Sequence, residues 1–202
     1  MTRIQSIEDA DNSIYVLLTD TGTLFTTLIK RFTSAPYNHA SLALDAGLNQ
    51  LYSFGRKRPT NAWDAGFVEE DVYEGTYSCY PNTRCVLLRM RVSKQQRAEA
   101  IRVLQLFQRN REDYRYNLFG LLGVLVGLDF KRKNAYFCSQ FVAEALAQSG
   151  MPLWERPAAL VTPDDFFRHP VFEKIYEGCL YDYPLLGDRK ASVVAASCLI
   201  TA

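Results

Sequence analysis

Tyr37-Asn38-His39-Ala40-Ser41-Leu42-Ala43-Leu44-Asp45 alternates in character along its length, and Asp45-Ala46-Gly47 then supplies a turn before Gln50 to Phe54. This pattern predicts a β-hairpin, with His39 to Leu44 as its first strand and Gln50 to Phe54 as the return. Period-two alternation puts His39, Ser41, Ala43 and Asp45 on one side, and Leu42 and Leu44 on the other, core-facing side. His39 is thus a polar group at a strand end, on the less apolar face, where a base can reach a thiol. The chain has only two histidines. The second, His169 in Phe167-Arg168-His169-Pro170, belongs to a loop or helix end and carries little weight.

The thiol that suits this base lies far downstream, in Tyr136-Phe137-Cys138-Ser139-Gln140-Phe141-Val142. Ser139 to Gln148 reads as an amphipathic helix with Phe141, Val142, Ala145 and Leu146 on one stripe, ended by Gly150 with Pro152 beyond. A helix start places unpaired N–H groups and the positive end of the helix dipole beside the sulfur. A nearby imidazolium favours the thiolate further. The same N–H groups suit the oxyanion formed on acyl transfer. Alone, a cysteine at a helix start is more often a small buried hydrophobe; His39 changes that balance. Of the other cysteines, Cys85 falls inside a strand, Cys179 follows Gly178 in a loop, and Cys198 lies in an apolar tail. Cys79 has no helix start of this kind.

Around these two segments the chain mixes helices with hairpin-connected strands, which gives the α+β class in one domain spanning residues 1–202. Ser13 to Leu18 is a β-prone apolar run, and Thr23 to Arg31 shows helical spacing. Gly55 to Asn61 reads as a polar loop, followed by a short strand over Gly66 to Asp71. Arg84 to Val92 is a strand. Ser93 and Gln96 match a capping box for a helix over Lys94 to Gln108. Thr162 and Pro163 mark another helix start. Phe172 to Tyr176 and Ala191 to Ile200 are each strand or irregular.

Composition narrows the chemistry. A net charge of +1 spread over mixed acids and bases gives no electrostatic reason to expect nucleic acid as a partner. The first ten residues carry acids and no apolar centre, so they do not read as a signal peptide, and a cytoplasmic location with mostly reduced thiols is the expectation. Five cysteines form no tight framework. The apolar stretch Leu118 to Leu128 is well short of the roughly 20 residues that span a bilayer. It reads as a buried helix, with a lipid-touching flap between Arg115 and Lys131-Arg132-Lys133 as the alternative. No set of four metal ligands and no phosphate-binding glycine loop is present, so neither metal nor cofactor is expected.

The residues Asn38-His39-Ala40-Ser41 on a strand, followed far downstream by Phe137-Cys138-Ser139-Gln140-Phe141-Val142 on a helix, resemble the circularly permuted papain-like hydrolases, the YiiX-like branch of the NlpC superfamily. Ordinary members run cysteine helix first and histidine strand second; the reversed order here fits the permuted branch. Tyr52-Ser53-Phe54-Gly55-Arg56 and Gly66-Phe67-Val68 fit it as well. The resemblance covers roughly Ser13 to Gly150. It implies an antiparallel sheet or barrel packed against helices, Cys138 as nucleophile and His39 as general base. It also implies a polar third residue on the returning strand to orient the imidazole. Ser53 is the comparable side chain there, with Asp45 as an alternative source. A serine stabilises an imidazolium less than a carboxylate would. Tyr37 and Tyr136 flank the histidine and cysteine, either as phenols for the oxyanion site or as plain packing. Arg56, in the basic run Arg56-Lys57-Arg58, is either a solvated charge or a contact for a substrate carboxylate.

The expected activity is thiol hydrolysis or acyl transfer at an amide bond, with a peptide, amino-acid amide or acyl group as substrate and no stable membrane insertion. The competing readings are a lipid acyltransferase or phospholipase-like relative using 118–128, and a papain-like domain that binds without catalysis.

Overall fold

The computed structural model describes residues 12–21, 35–58, 61–117 and 134–187. The helix read over Thr23 to Arg31, the apolar stretch 118–128, the segment Ala191 to Ile200 and Cys198 lie outside them.

Strand β1 (Ser13–Asp20) explains the unbroken apolar run at its start. It sits inside a six-stranded antiparallel sheet of order β4-β3-β2-β1-β5-β8 and is covered on both faces. Its neighbours are β2 (His39–Ala43) and β5 (Arg84–Arg91). Strands β3 (Leu51–Arg58) and β4 (Asn61–Glu70) extend the sheet on one side and β8 (Glu173–Cys179) on the other. A short parallel pair, β6 (Arg115–Tyr116) and β7 (Ala135–Tyr136), stands apart. The protein is α+β.

One face of the sheet carries the larger core. Ile14, Val16 and Leu18 of β1, with Ala40, Leu42, Phe54, Phe67, Val86 and Leu88, bury against helix α2 (Lys94–Arg109) and helix α3 (Cys138–Gln148). Phe54 is wholly buried at its centre, with ring centroids of Phe67, Phe107, Tyr114, Tyr136 and Phe141 between 5.1 and 6.2 Å away. Phe54→Ala is expected to destabilise the fold by about 3–5 kcal/mol, measured as a lowered midpoint in denaturant unfolding, because the surrounding rings belong to several elements and cannot all close on the void.

The opposite face holds a second core. Tyr15, Leu17, Ala43, Leu51 and Leu87 pack there against Val72, Tyr77, Leu180, Tyr181 and Leu186. The face that carries His39 is therefore also closed along most of its length; Ser41 and Ala43 have no exposed surface. His39 escapes this only because it starts its strand.

Local signals place the helices. Ser93 and Gln96 exchange both capping bonds at the start of α2 (3.1 and 2.9 Å). Thr162 caps helix α4 (Pro163–Arg168), with Asp165 answering to the Thr162 N–H at 2.7 Å. Helix α3 ends in a Schellman turn: Gly150 has φ +75°, its N–H reaches Ala147 O and that of Met151 reaches Leu146 O. The fourth helix, α1 (Gly75–Ser78), is a single turn after β4. Residues 172–176, open between strand and irregular, contribute to edge strand β8.

The segment Gly55 to Asn61 corrects the expectation of a loop. β3 continues to Arg58 and β4 begins at Asn61, so the polar residues form the end of a hairpin whose register shifts between Arg56 and Arg58. β2 pairs β3 only at Tyr52 and Leu51. Beyond that point β3 pairs only with β4, and from Gly55 outward the paired residues are mostly polar or glycine. Among the described residues no helix is long and apolar enough to cross a membrane.

Candidate active site

Cys138 is the first residue of α3. The residue before it, Phe137, has no side chain able to cap the helix, so the first-turn N–H groups are left to the thiol; only Gln140 Oε1 returns, to the Phe137 N–H at 3.4 Å. Ser139 anchors this turn by donating its hydroxyl to Val161 O at 2.7 Å. Cys138 is 4% exposed. Three groups favour its thiolate: the His39 side chain and the N–H groups of Ala40 and Ser139.

The Ala40 N–H is available because the sheet opens there. The β2–β3 ladder runs through Leu42↔Tyr52 and Ala43↔Leu51 and goes no further towards His39. Ser53 Oγ donates instead to the Ala40 carbonyl at 3.0 Å. The end of β2 is thus held by a side chain on one atom and faces the sulfur with another.

His39 Nε2 lies 2.8 Å from Glu70 Oε1 and 3.2 Å from Ser53 Oγ. The Ser53 proton is engaged with Ala40, so both neighbours of Nε2 present lone pairs and the proton belongs on Nε2. Nδ1 remains to accept from the thiol. Gly55 of β3 lies beneath the ring: a Cβ there would stand in van der Waals contact, 3.7 Å, with both His39 Cε1 and Glu70 Oε1. The His39 side chain is 23% exposed and that of Glu70 13%.

The electrostatics follow from the geometry. Burial by itself raises the Cys138 pKa, but the His39 charge and hydrogen bond, helped by the Ala40 and Ser139 N–H groups, outweigh it and hold the thiol below its ordinary value. For His39, burial lowers the pKa, while the Glu70 charge and then Cys138 outweigh it and hold the imidazole well above its usual range. Cys85 is the internal contrast. It is equally buried and has no cationic neighbour; burial, then the charges of Cys179 and Glu177, push it up to about 12.

The sequence reading and the structure agree on bringing Cys138 and His39 together, and Ser53 does reach the imidazole. Sequence reasoning missed Glu70, which is the nearer and the charged partner. Asp45, the alternative orienter, instead builds the hairpin turn, accepting from the Asn49 and Gln50 N–H groups at 3.1 and 2.9 Å. The Tyr37 phenol donates to Glu177 at 2.9 Å and its ring packs on Phe167. Tyr136 packs between Phe54, Phe107 and Tyr114. Of the two roles open to these tyrosines, packing is the one their contacts account for. Arg56 pairs with Ala65 in the hairpin, and its side chain lies outside the described residues. His169 caps the end of α4, with Nε2 3.3 Å from Leu153 O. Together, a helix-start thiol, an imidazole and a carboxylate form one hydrogen-bonded line suited to proton transfer from sulfur to ring nitrogen. No family model, curated protein or solved structure matches this chain.

Proposed function

We propose that the protein is a cysteine-dependent hydrolase or acyltransferase acting on an amide bond, built on a circularly permuted papain-like fold. The observation that carries this is the line from Cys138 through His39 to Glu70, with the sulfur at a helix start and the carboxylate behind the imidazole. The chain order, histidine strand, acidic strand and then cysteine helix, fits the permuted arrangement.

In this reading Nδ1 of His39 takes the thiol proton and the thiolate attacks the substrate carbonyl, forming a C–S bond. The Ala40 and Ser139 N–H groups beside the sulfur are the nearest donors for the resulting oxyanion. His39 then returns its proton to the departing amine as the C–N bond breaks, leaving an acyl thioester. Water, or another nucleophile, gives a proton to His39 and attacks the thioester, and the C–S bond breaks to restore the thiolate. Glu70 keeps Nε2–H in place throughout and balances the imidazolium charge.

A panel of aminoacyl amides, dipeptides and short-chain acyl esters, quenched with acid and followed by intact mass, tests the proposal. The expected result is an added acyl mass on Cys138 and turnover of at least one amide. Esters alone as substrates would move the assignment to the lipid-acyl class. No adduct with any of them, together with a Cys138 that alkylates no faster than Cys79, would leave the binding-domain reading in its place.

A further inference from the structure

Glu70 is gripped from behind as firmly as it grips His39. While Oε1 takes the imidazole, Oε2 receives the Ser41 hydroxyl at 2.5 Å and the Tyr77 phenol at 3.3 Å. The donors come from different elements, Ser41 two residues along β2 from His39 and Tyr77 from α1, and both are buried. The third wholly buried hydroxyl nearby, Thr19 on β1, borders the same phenol.

We propose that Ser41 and Tyr77 are positioning residues that fix the direction and plane of the Glu70 carboxylate against the imidazole, and thereby hold the proton of His39 on Nε2. This deepens the hydrolase reading and rests on it. The terminal torsion of a glutamate is broad and nearly two-fold, so one contact to His39 does not by itself lock the carboxylate. Two donors converging on the far oxygen do. They also direct two hydroxyl donors at the group that must balance an imidazolium. Burial, and then the Glu70 charge, hold the Tyr77 phenol well above its ordinary pKa, so it stays a donor through the working range. The ionisable groups facing Glu70 are His39 from β2 and Tyr77 from α1. Glu69, Asp71 and Tyr73 share with it the wall of a cavity of about 220 Å³.

The test is the second-order rate of iodoacetamide alkylation at Cys138, followed by peptide mass from pH 5 to 10 on the full chain. Ser41→Ala and Tyr77→Phe together are expected to slow alkylation at pH 7 by about tenfold, the effect of one pKa unit, and Ser41→Thr, which keeps the hydroxyl, to restore the single-site loss. The decisive arm uses Glu70→Gln. With Ser41 and Tyr77 present, the glutamine carbonyl must stay on their side and its NH₂ must face Nε2, the wrong partner for a protonated nitrogen. Removing both donors frees the amide to turn, so the triple variant is expected to alkylate faster than Glu70→Gln alone. Opening of the fold would also expose a buried thiol, so the recovery counts only where Cys85, equally buried, stays as slow in the triple variant as in the wild type. Equal rates in the triple variant and Glu70→Gln, or a Ser41→Thr rate as low as that of Ser41→Ala, would overturn the inference. A wild-type Cys138 no faster than Cys79 would instead remove the hydrolase reading beneath it.

Discussion

Replacing His39 with alanine is expected to slow alkylation of Cys138 at pH 7 by about 100-fold or more, the equivalent of two pKa units. Cys138 is a buried thiol, and burial disfavours a thiolate; Cys85 shows the result when nothing opposes it. The opposing force at Cys138 is chiefly His39. Without the imidazolium, the Ala40 and Ser139 N–H groups are left to offset burial alone. The sign of the pH dependence follows. A lowered thiol pKa fills the thiolate at lower pH than in an ordinary thiol, and a raised imidazole pKa keeps its partner charged to higher pH than in an ordinary histidine. The ion pair therefore spans the pH range between these two titrations. Wild-type alkylation should reach its plateau at lower pH than that of a simple cysteine thiol, which is only half ionised at about pH 8.5. In His39→Ala the plateau should move to higher pH than that of the simple thiol. A profile unchanged by the substitution would mean that the helix start alone activates the sulfur.

Glu70 gives the second large effect, with an unusual order. Glu70→Gln is expected to be the more damaging change, lowering kcat/KM by roughly 10³–10⁴, with Glu70→Ala nearer 10². Alanine removes the charge and leaves Ser53 Oγ, 3.2 Å from Nε2, to hold the tautomer. Glutamine is oriented by Ser41 and Tyr77 so that it presents an N–H to Nε2. The imidazole answers by moving its proton to Nδ1, the atom that has to accept from the thiol. The ratio of the two variants, measured on the amide that turns over best, reads out tautomer control. Equal losses would assign Glu70 a charge effect alone.

The sequence carried the two ends of this arrangement. A histidine opening an alternating strand and a cysteine opening an amphipathic helix are local patterns, and both segments fold as read. So do the caps at Ser93 and Thr162 and the stop at Gly150. Glu70 was hidden because it is one of three consecutive acids, Glu69-Glu70-Asp71, and nothing local says which faces inward. That choice belongs to register. Leu51 stands opposite Glu70 only after a shift in the hairpin between Arg56 and Arg58; a slip of one residue would have turned Glu69 to the site. Glu69 instead meets Gln108 on α2 at 3.3 Å. One sequence signal did exist: Phe67 belongs with the helix-covered core, so Val68 and Glu70 take the other face, where His39 stands. The strand read over Gly66 to Asp71 already carried this alternation; what it lacked was a partner, since with 55–61 read as a loop nothing set its register against the His39 strand. The second core was hidden for a related reason. Its covering residues Leu180 and Tyr181 lie in a single 3-10 turn (Leu180–Asp182) and Leu186 in the chain beyond it, stretches too short for hydrophobic periodicity to count.

The outermost strand on the β5 side has a bearing on how copies of this protein meet. Among the described residues strand β8 has a neighbour on one side only, so its other backbone edge is a template on which a foreign chain can dock. Glu173, Lys174 and Glu177 occupy it, and Lys174 pairs with Glu177 at 2.5 Å. An incoming strand must strip water from these charges before it can form its first hydrogen bond. The charges of this border thereby oppose strand-to-strand pairing with a second copy.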